Sequence, residues 1–267
     1  MSIRENIEQN FIRFSPKEKL IATYLLQENQ PLKNISIQHL STLTNVSPAT
    51  ITRFCRKIGC DSFVDLKIQL QASENTEQPI ESEPIFSTVS QYYNRVLQKT
   101  ADLLSETQLR RMIRLILEAN RIVIYGVGSS GLTAREMAIR FSRMGINATC
   151  ETDSHMMIIS STITTADDLV IGISNSGETK EVIHALTNAK RNQATVIAVS
   201  SINGGTLSQL ANETLLVYNS RFVNNEQFVN SQFPISFLFD ILTLMLLENP
   251  DYRRNMQKTI QEITQNH

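Results

Sequence analysis

RIVIYGVGSSGLTAREMAIRFSRMG, residues 121–145, joins an apolar run of β type to a stretch with helical spacing through a turn holding three glycines. Gly126, Gly128 and Gly131 satisfy G-x-G-x-x-G, and Glu151 stands 20 residues beyond Gly131, where a dinucleotide-binding fold places its ribose carboxylate. The fingerprint alone does not select a cofactor, because any strand-to-helix turn that brings backbone close to a phosphate requires glycines. It does define local architecture: strand, tight turn, helix. The alternation recurs downstream. RIVIYG, NATCE, DLVIGIS, TVIAVS and TLLVY are short β-rich runs, with helical stretches between most of them. A parallel sheet with helices on its faces is predicted, with ligands beyond the carboxyl ends of its strands.

A second turn resembles the first in position but not in chemistry. ISNSGETK, residues 173–180, places the hydroxyls of Ser174, Ser176 and Thr179 within six residues, and Gly177 lets backbone approach closely. The helical stretch EVIHALTNAKR follows and aims its first N–H groups at the same spot. Together with Gly128, Ser129 and Ser130 of the first turn, these residues form a candidate cradle for a phosphate and the hydroxyls of a neighbouring sugar. A pyrophosphate site would rest mainly on glycine backbone. Serines and glycines are also ordinary turn and cap residues; two such turns at equivalent strand ends favour the ligand reading.

Composition narrows the class. With 267 residues and 41% hydrophobic content the chain can bury a real core in one large domain or two smaller ones. The longest apolar stretch, Pro234–Leu247, contains Asp240 and falls short of the ~20 residues of a membrane span, so a buried helix is expected there. The start, MSIRENIEQNF, shows no basic segment followed by an apolar block, and a cytoplasmic protein without a membrane partner is expected. Cys55, Cys60 and Cys150 lack C-x-x-C spacing, and His39, His155, His184 and His267 are scattered. No metal site and no cofactor are expected.

The formal charge of −1 hides an asymmetry. Residues 1–72 carry nine Lys/Arg against six Asp/Glu, whereas residues 86–267 balance at sixteen each. Between them SENTEQPIESEPI holds four glutamates, two prolines and no base, a composition that buries no core. The predicted organisation is an all-α domain over residues 1–75, a linker and connecting helix over 76–104, and an α/β domain with C-terminal helices over 105–267.

Within the first domain, Ser15-Pro16-Lys17-Glu18 is a capping box with proline at the first helical position, followed by the apolar face of KLIATYLLQ. Asn29, Gln30 and Pro31 are read as its end. Ser36 caps a short helix, IQHLSTLT, with Ile37, Leu40 and Leu43 on one face. Asn45 and Val46 make a tight turn, and Ser47-Pro48 starts a third helix, ATITRFCRKI, which Gly59 terminates. Ile51, Phe54, Cys55 and Ile58 form its core face. Ala49, Thr52, Arg53, Arg56 and Lys57 project from the other side, as a helix that reads DNA requires: arginine grips guanine, threonine meets a thymine methyl, and flanking cations neutralise phosphates. An isolated R-x-x-R-K face is ordinarily a solvated surface; the short preceding helix, the tight turn and the cap at Ser47 favour helix-turn-helix, with Ser47 and Thr50 at the cap as further DNA-binding candidates.

Residues 35–70, ISIQHLSTLTNVSPATITRFCRKIGCDSFVDLKIQL, resemble the N-terminal domain of RpiR-type transcriptional regulators. The pattern V-S-x-A-T-x-x-R-F-x-x-K-[LI]-G is met by Val46, Ser47, Ala49, Thr50, Arg53, Phe54, Lys57, Ile58 and Gly59, and Phe63 and Lys67 follow as in the family. Over about residues 105–250, GVGSSG, S-x-S-G-x-T and the polar turn SSINGGTLSQLAN resemble the sugar isomerase (SIS) phosphosugar-binding domain. The resemblance implies a DNA reader followed by a sugar-phosphate sensor, with Ser129, Ser130, Ser174, Ser176 and Thr179 as ligand residues, operator DNA as partner, and a homodimer or dimer of dimers. SIS domains also occur in aldose-ketose isomerases, which need an acid/base. Glu151, His155, Glu178 and Glu226 are the candidates here, and DSHMM resembles a stretch near the ligand in some isomerases. The expectation is a regulator, not an enzyme; a phosphosugar isomerase and an NAD(H)-sensing repressor are the alternatives.

Overall fold

The computed structural model describes residues 3–27, 35–74, 84–202, 204–219 and 230–265. These form two compact units that divide after Ser90, with Gln91–Asn219 and Asn230–His267 making up the second. The predicted end of the Ser15 helix at Asn29–Pro31 and most of the acidic seam lie outside the described residues.

The first unit is helical: α1 Ile3–Asn10, a 3-10 turn at Phe11–Arg13, α2 Pro16–Gln27, α3 Ile37–Thr44, α4 Pro48–Lys57 and α5 Phe63–Glu74. The capping box at the start of α2 is formed, with Ser15 N–H donating to Glu18 Oε2 at 2.7 Å and Glu18 N–H to Ser15 Oγ at 3.4 Å. Ser36 Oγ accepts from His39 N–H at 3.1 Å to start α3, and Asn45, at φ 52°, turns the chain into α4. Ile51, Phe54, Cys55 and Ile58 are all buried, with Phe54 edge-on to Phe14 at 5.0 Å. The α3 face differs from expectation. Leu43 is 48% exposed, and Thr44 is buried beside Leu40. The buried pair is spaced i, i+4, and the Thr44 hydroxyl donates to Leu40 O at 2.7 Å, so a polar group enters the core already satisfied.

The second unit begins with the C-terminal part of α6 (Ile85–Leu103), held through buried Tyr92, Val96 and Thr100. Then follow α7 Glu106–Glu118, β1 Arg121–Gly126, α8 Ser129–Arg143, β2 Ala148–Glu151, α9 Ser154–Thr162, β3 Asp168–Ile173, α10 Lys180–Arg191, β4 Thr195–Ser200, α11 Thr206–Leu210, β5 Glu213–Leu216, α12 Phe233–Leu246 and α13 Pro250–Gln265. All five predicted strands form, pairing in parallel in the order β2-β1-β3-β4-β5. Successive residues feed opposite faces. Ile122, Ile124, Leu169, Ile171, Ile197 and Val199 meet α7, α8 and α12, and Val123, Tyr125, Val170, Val196 and Ala198 meet α9, α10 and α11.

The apolar stretch expected to be a buried helix is α12. Ile235, Leu238, Phe239, Leu242 and Leu246 are buried, whereas Asp240 is exposed and ion-paired with Arg140, and Leu244 is 68% exposed. One face is therefore buried, not the whole helix. Among the described residues no single helix is long and apolar enough to cross a membrane.

Candidate functional site

Strand order decides where the two Gly/Ser turns lie. β1 and β3 are neighbours at the centre of the sheet, paired through Gly126↔Ile173, so the turns that follow them emerge side by side. In a sheet of order 2-1-3-4-5 this is the point where the winding direction reverses and a crevice opens above the strand ends.

The first turn packs backbone on backbone. A Cβ on Gly126 would lie 2.6 Å from the Ser130 carbonyl oxygen, and one on Gly131 would lie 2.7 Å from the Gly126 oxygen. Glycine is required here by close approach of the strand end to the first turn of α8, with or without a ligand. Gly128, at φ 58°, holds the N-cap position of α8 and offers no side chain. Ser129 is exposed there and Ser130 is 9% exposed.

The second turn is a hydroxyl cluster. Ser174, only 2% exposed, has its Oγ 2.7 Å from Thr179 Oγ1 and 3.3 Å from Ser176 Oγ. Its N–H donates to Val199 O at 3.0 Å, which ties the cluster to β4. Ser174 is thus the interior post, and half-buried Ser176 and Thr179 hang from it. Gly177, at φ 67°, lets the chain fold back between them. Thr179 occupies the N-cap position of α10 without its hydroxyl capping the helix. That hydroxyl is committed to Ser174 instead. None of the seven predicted cradle residues carries a formal charge, so attraction for an anion comes from hydroxyls and from the N-terminal N–H groups of α8 and α10.

Among the described residues no candidate acid/base side chain hydrogen-bonds to this cluster. The Glu178 carboxylate accepts from Thr206 N–H at 2.9 Å and Thr206 Oγ1 at 2.8 Å, so it caps α11. Glu178 lies two residues before α10, yet its carboxylate serves α11. His155 is 86% exposed at its side chain, in the first turn of α9, which Asp153 caps through His155 N–H (2.9 Å) and Met156 N–H (3.0 Å). Glu151 lies at the end of β2, its carboxyl pushed up by partial burial and by Asp153 nearby. Glu226 lies outside the described residues.

Several partners of the cradle were not visible in the spacing. The Asn175 carbonyl accepts from Ser201 Oγ at 2.6 Å, and Asn175 Nδ2 donates to Ser231 O at 3.2 Å. Thr133 Oγ1, one turn into α8, donates to Gln232 Oε1 at 3.3 Å. The serine-rich turn after β4 was the one sequence signal for any of them.

In the first unit, α4 presents the predicted face. Ala49, Arg53 and Arg56 are exposed, and Thr50 and Thr52 are half-buried. Ser47 Oγ accepts from Thr50 N–H at 3.4 Å, and Arg53 Nη2 donates to Thr50 Oγ1 at 3.2 Å, which steadies the guanidinium beside the start of the helix. Lys57 is placed apart from these. Its ammonium lies 2.8 Å from Glu18 Oε2, 3.3 Å from Arg13 O and 5.4 Å above the Phe14 ring. Burial raises the Glu18 carboxyl, but the hydrogen bonds from Lys57 and Ser15 outweigh it and hold the group below its usual range. The long lysine chain reaches sideways to clamp α4 onto α2.

Residues 1–77 match the helix-turn-helix domain of the rpiR family, and residues 115–245 match the SIS domain. An HTH-type transcriptional regulator of Clostridium perfringens is 30% identical over 253 residues, covering 91% of each chain. The solved structure of the Vibrio vulnificus NanR protein complexed with ManNAc-6P superposes with a TM-score of 0.64 at 28% identity, covering 100% of this chain and 99% of that one. The sugar isomerase domain of an RpiR transcription factor from Sphaerobacter thermophilus shares the fold of the second unit, with a TM-score of 0.62 at 16% identity over 67% of this chain and 99% of that one. A capped helix-turn-helix followed by a five-stranded SIS sheet, matched along nearly the whole length of a relative, shows that this chain belongs to the RpiR family of helix-turn-helix transcriptional regulators.

Proposed function

We propose that this regulator binds operator DNA through α4 and that a sugar phosphate held between the GVGSSG and ISNSGET turns controls that binding. The carrying observation is the hydroxyl trio of Ser174, Ser176 and Thr179 at the N-terminus of α10, beside the serine-bearing N-terminus of α8. It suits a phosphoryl group that is also an alcohol, because hydroxyls both donate to phosphate oxygens and exchange hydrogen bonds with sugar hydroxyls. The ManNAc-6P carried by the Vibrio vulnificus relative supports the same ligand class. Gly128, Ser129, Ser130 and Gly177 complete the cradle. On the DNA side Arg53 and Arg56 supply base or phosphate contacts, with Ser47, Ala49, Thr50 and Thr52 at the surface of the same helix. Lys57 contributes by fixing the angle of α4. The protein acts where the DNA is, as a homodimer or dimer of dimers, since two reading heads double the phosphate contacts. It breaks no bond: Glu178, the candidate acid nearest the cluster in sequence, is engaged in capping α11.

Paired substitutions test the reading. Arg53→Ala with Arg56→Ala should abolish operator binding and leave sugar-phosphate binding intact, while Ser174→Ala with Ser176→Ala should do the reverse. A thermal-shift screen with ManNAc-6P, glucose 6-phosphate and pentose phosphates identifies the effector, because a ligand at 100 times its Kd stabilises by about 2.7 kcal/mol. Turnover of any panel member by the purified protein, or stabilisation by NADH alone, refutes it.

A further inference from the structure

The segment leading into α12 is tied to the ISNSGET turn and to α8. Ser231 O accepts from Asn175 Nδ2 at 3.2 Å, inside the ISNSGET turn, and from Asn219 Nδ2 at 3.2 Å. Gln232, 7% exposed, accepts from Thr133 of α8 at 3.3 Å. The next residue, Phe233, stacks its ring 4.2 Å from that of Tyr93 on α6. α6 is also held by Thr100, whose hydroxyl accepts from Tyr218 N–H at 3.2 Å. In sequence α6 is the segment through which the chain passes from the DNA-reading helices into the sheet unit. A short run of residues therefore touches the cradle at one end and α6 at the other.

Asn175 is the junction. Its carbonyl holds Ser201, its Nδ2 holds Ser231, and its Oδ1 is enclosed with no hydrogen-bond partner among the described residues. An enclosed acceptor without a donor costs free energy, so this amide gains from any rearrangement that supplies one. The side chain reaches Ser231 in the α12 lead-in, and none of its hydrogen bonds runs to the hydroxyl trio. We propose that Asn175 is the positioning residue that makes occupancy of the cradle felt at Ser231–Phe233 and, through the Phe233–Tyr93 stack, on α6. The inference rests on the sugar-phosphate reading above and adds the route by which that ligand acts. A ligand shifts the protein only through contacts that differ between two arrangements, and on this route the Asn175–Ser231 bond is that contact.

The chain contains no tryptophan, so Phe233→Trp in the full-length protein gives a single fluorescent reporter at the far end of the route. ManNAc-6P, glucose 6-phosphate and inorganic phosphate are titrated by calorimetry and by tryptophan emission. Operator affinity is then measured without ligand and at saturation, with melting by circular dichroism showing that each variant is folded. In the reporter protein a sugar phosphate should shift the emission and change operator affinity. Asn175→Ala and the near-isosteric Asn175→Asp, which replaces the donor facing Ser231 O by an acceptor, should abolish the emission shift at saturation. They should also cut the ligand-induced change in operator affinity by about tenfold. Tyr93→Leu should keep the emission shift and lose the operator response. If either Asn175 variant shows the full shift and response at saturation, or Tyr93→Leu retains the response, the route is wrong while the sugar-phosphate reading stands. If no sugar phosphate gives heat in the reporter protein or in the unsubstituted chain, that reading falls and this inference with it.

Discussion

On the proposed reading both units hold phosphate, and they do it by opposite means. On α4 the proposed reading rests on formal charge: Arg53 and Arg56 stand exposed on the helix, and a polyanion bound there would release counterions. At the sheet the cradle has no charged side chain among its predicted residues. Hydroxyls and helix N-termini lie together there, with Ser174 almost wholly out of solvent, an arrangement suited to one small anion. The difference teaches what each site must tolerate. A DNA reader has to bind at many positions and let go as salt and ligand change. A sensor has to respond to one molecule against the ionic background of the cell, and short-range hydrogen bonds in a buried turn are screened far less than exposed charges.

The largest effect expected to sharpen this contrast is on DNA. Arg53→Ala with Arg56→Ala should weaken operator binding by about 3 kcal/mol or more and reduce the slope of log affinity against log salt by about two, as two phosphate or base contacts are lost. Filter binding across a salt series measures both; an unchanged slope means the arginines do not face DNA. A comparable effect on folding, with none on function, is expected at the opposite end of the sheet. Arg121 pairs with the buried carboxylate of Asp168 at 2.6 Å, and removing it leaves that charge with only its Thr165 hydrogen bonds, costing about 3 kcal/mol of stability. Burial raises the Asp168 carboxyl, but Arg121 and Thr165 outweigh it and hold the group below its usual range. Because the folded-state value is depressed, the contribution is fully present above the unfolded carboxylate range near about 4 and is lost as pH falls toward the lower folded value. The stability gap between the native chain and Arg121→Ala, followed by urea melts, should therefore close in acid and stay constant near neutrality.

Next comes the cradle. Ser174→Ala removes the post of the hydroxyl trio and should weaken sugar-phosphate binding by about 2 kcal/mol, with little dependence on added salt. Calorimetry at two ionic strengths checks it, and a steep salt dependence would erase the contrast between the sites. The smallest effect is at Lys57. Its Glu18 partner is only 15% exposed at the side chain, so Lys57→Met should cost about 1 kcal/mol of stability. It should leave the salt slope of operator binding unchanged, unlike the arginines one and four positions earlier in the helix.

The residues that sequence placed poorly share a feature. Leu43 and Thr44 are adjacent, and only the packing of α3 on its neighbours chooses which one enters the core. Lys57 has the wheel position of a DNA-facing base, yet its partner is 39 residues away on another helix. Glu178 sits before α10 but caps α11 through Thr206, 28 residues on. Asn175 reads as one more polar turn residue until Ser231, 56 positions away, arrives at its amide.

Caps, turns and apolar periods are local, decided by hydrogen bonds and sterics within a few residues. They announced the helix-turn-helix, the five strands and the two Gly/Ser turns, and with them the family resemblance. The sequence by itself therefore determined the elements and the chemistry each turn carries. Tertiary structure alone decided that β1 lies beside β3, which brings the two turns to one crevice, and which polar side chains spend their hydrogen bonds inside the fold. Those outcomes depend on where distant segments meet, and no spacing along the chain encodes that directly.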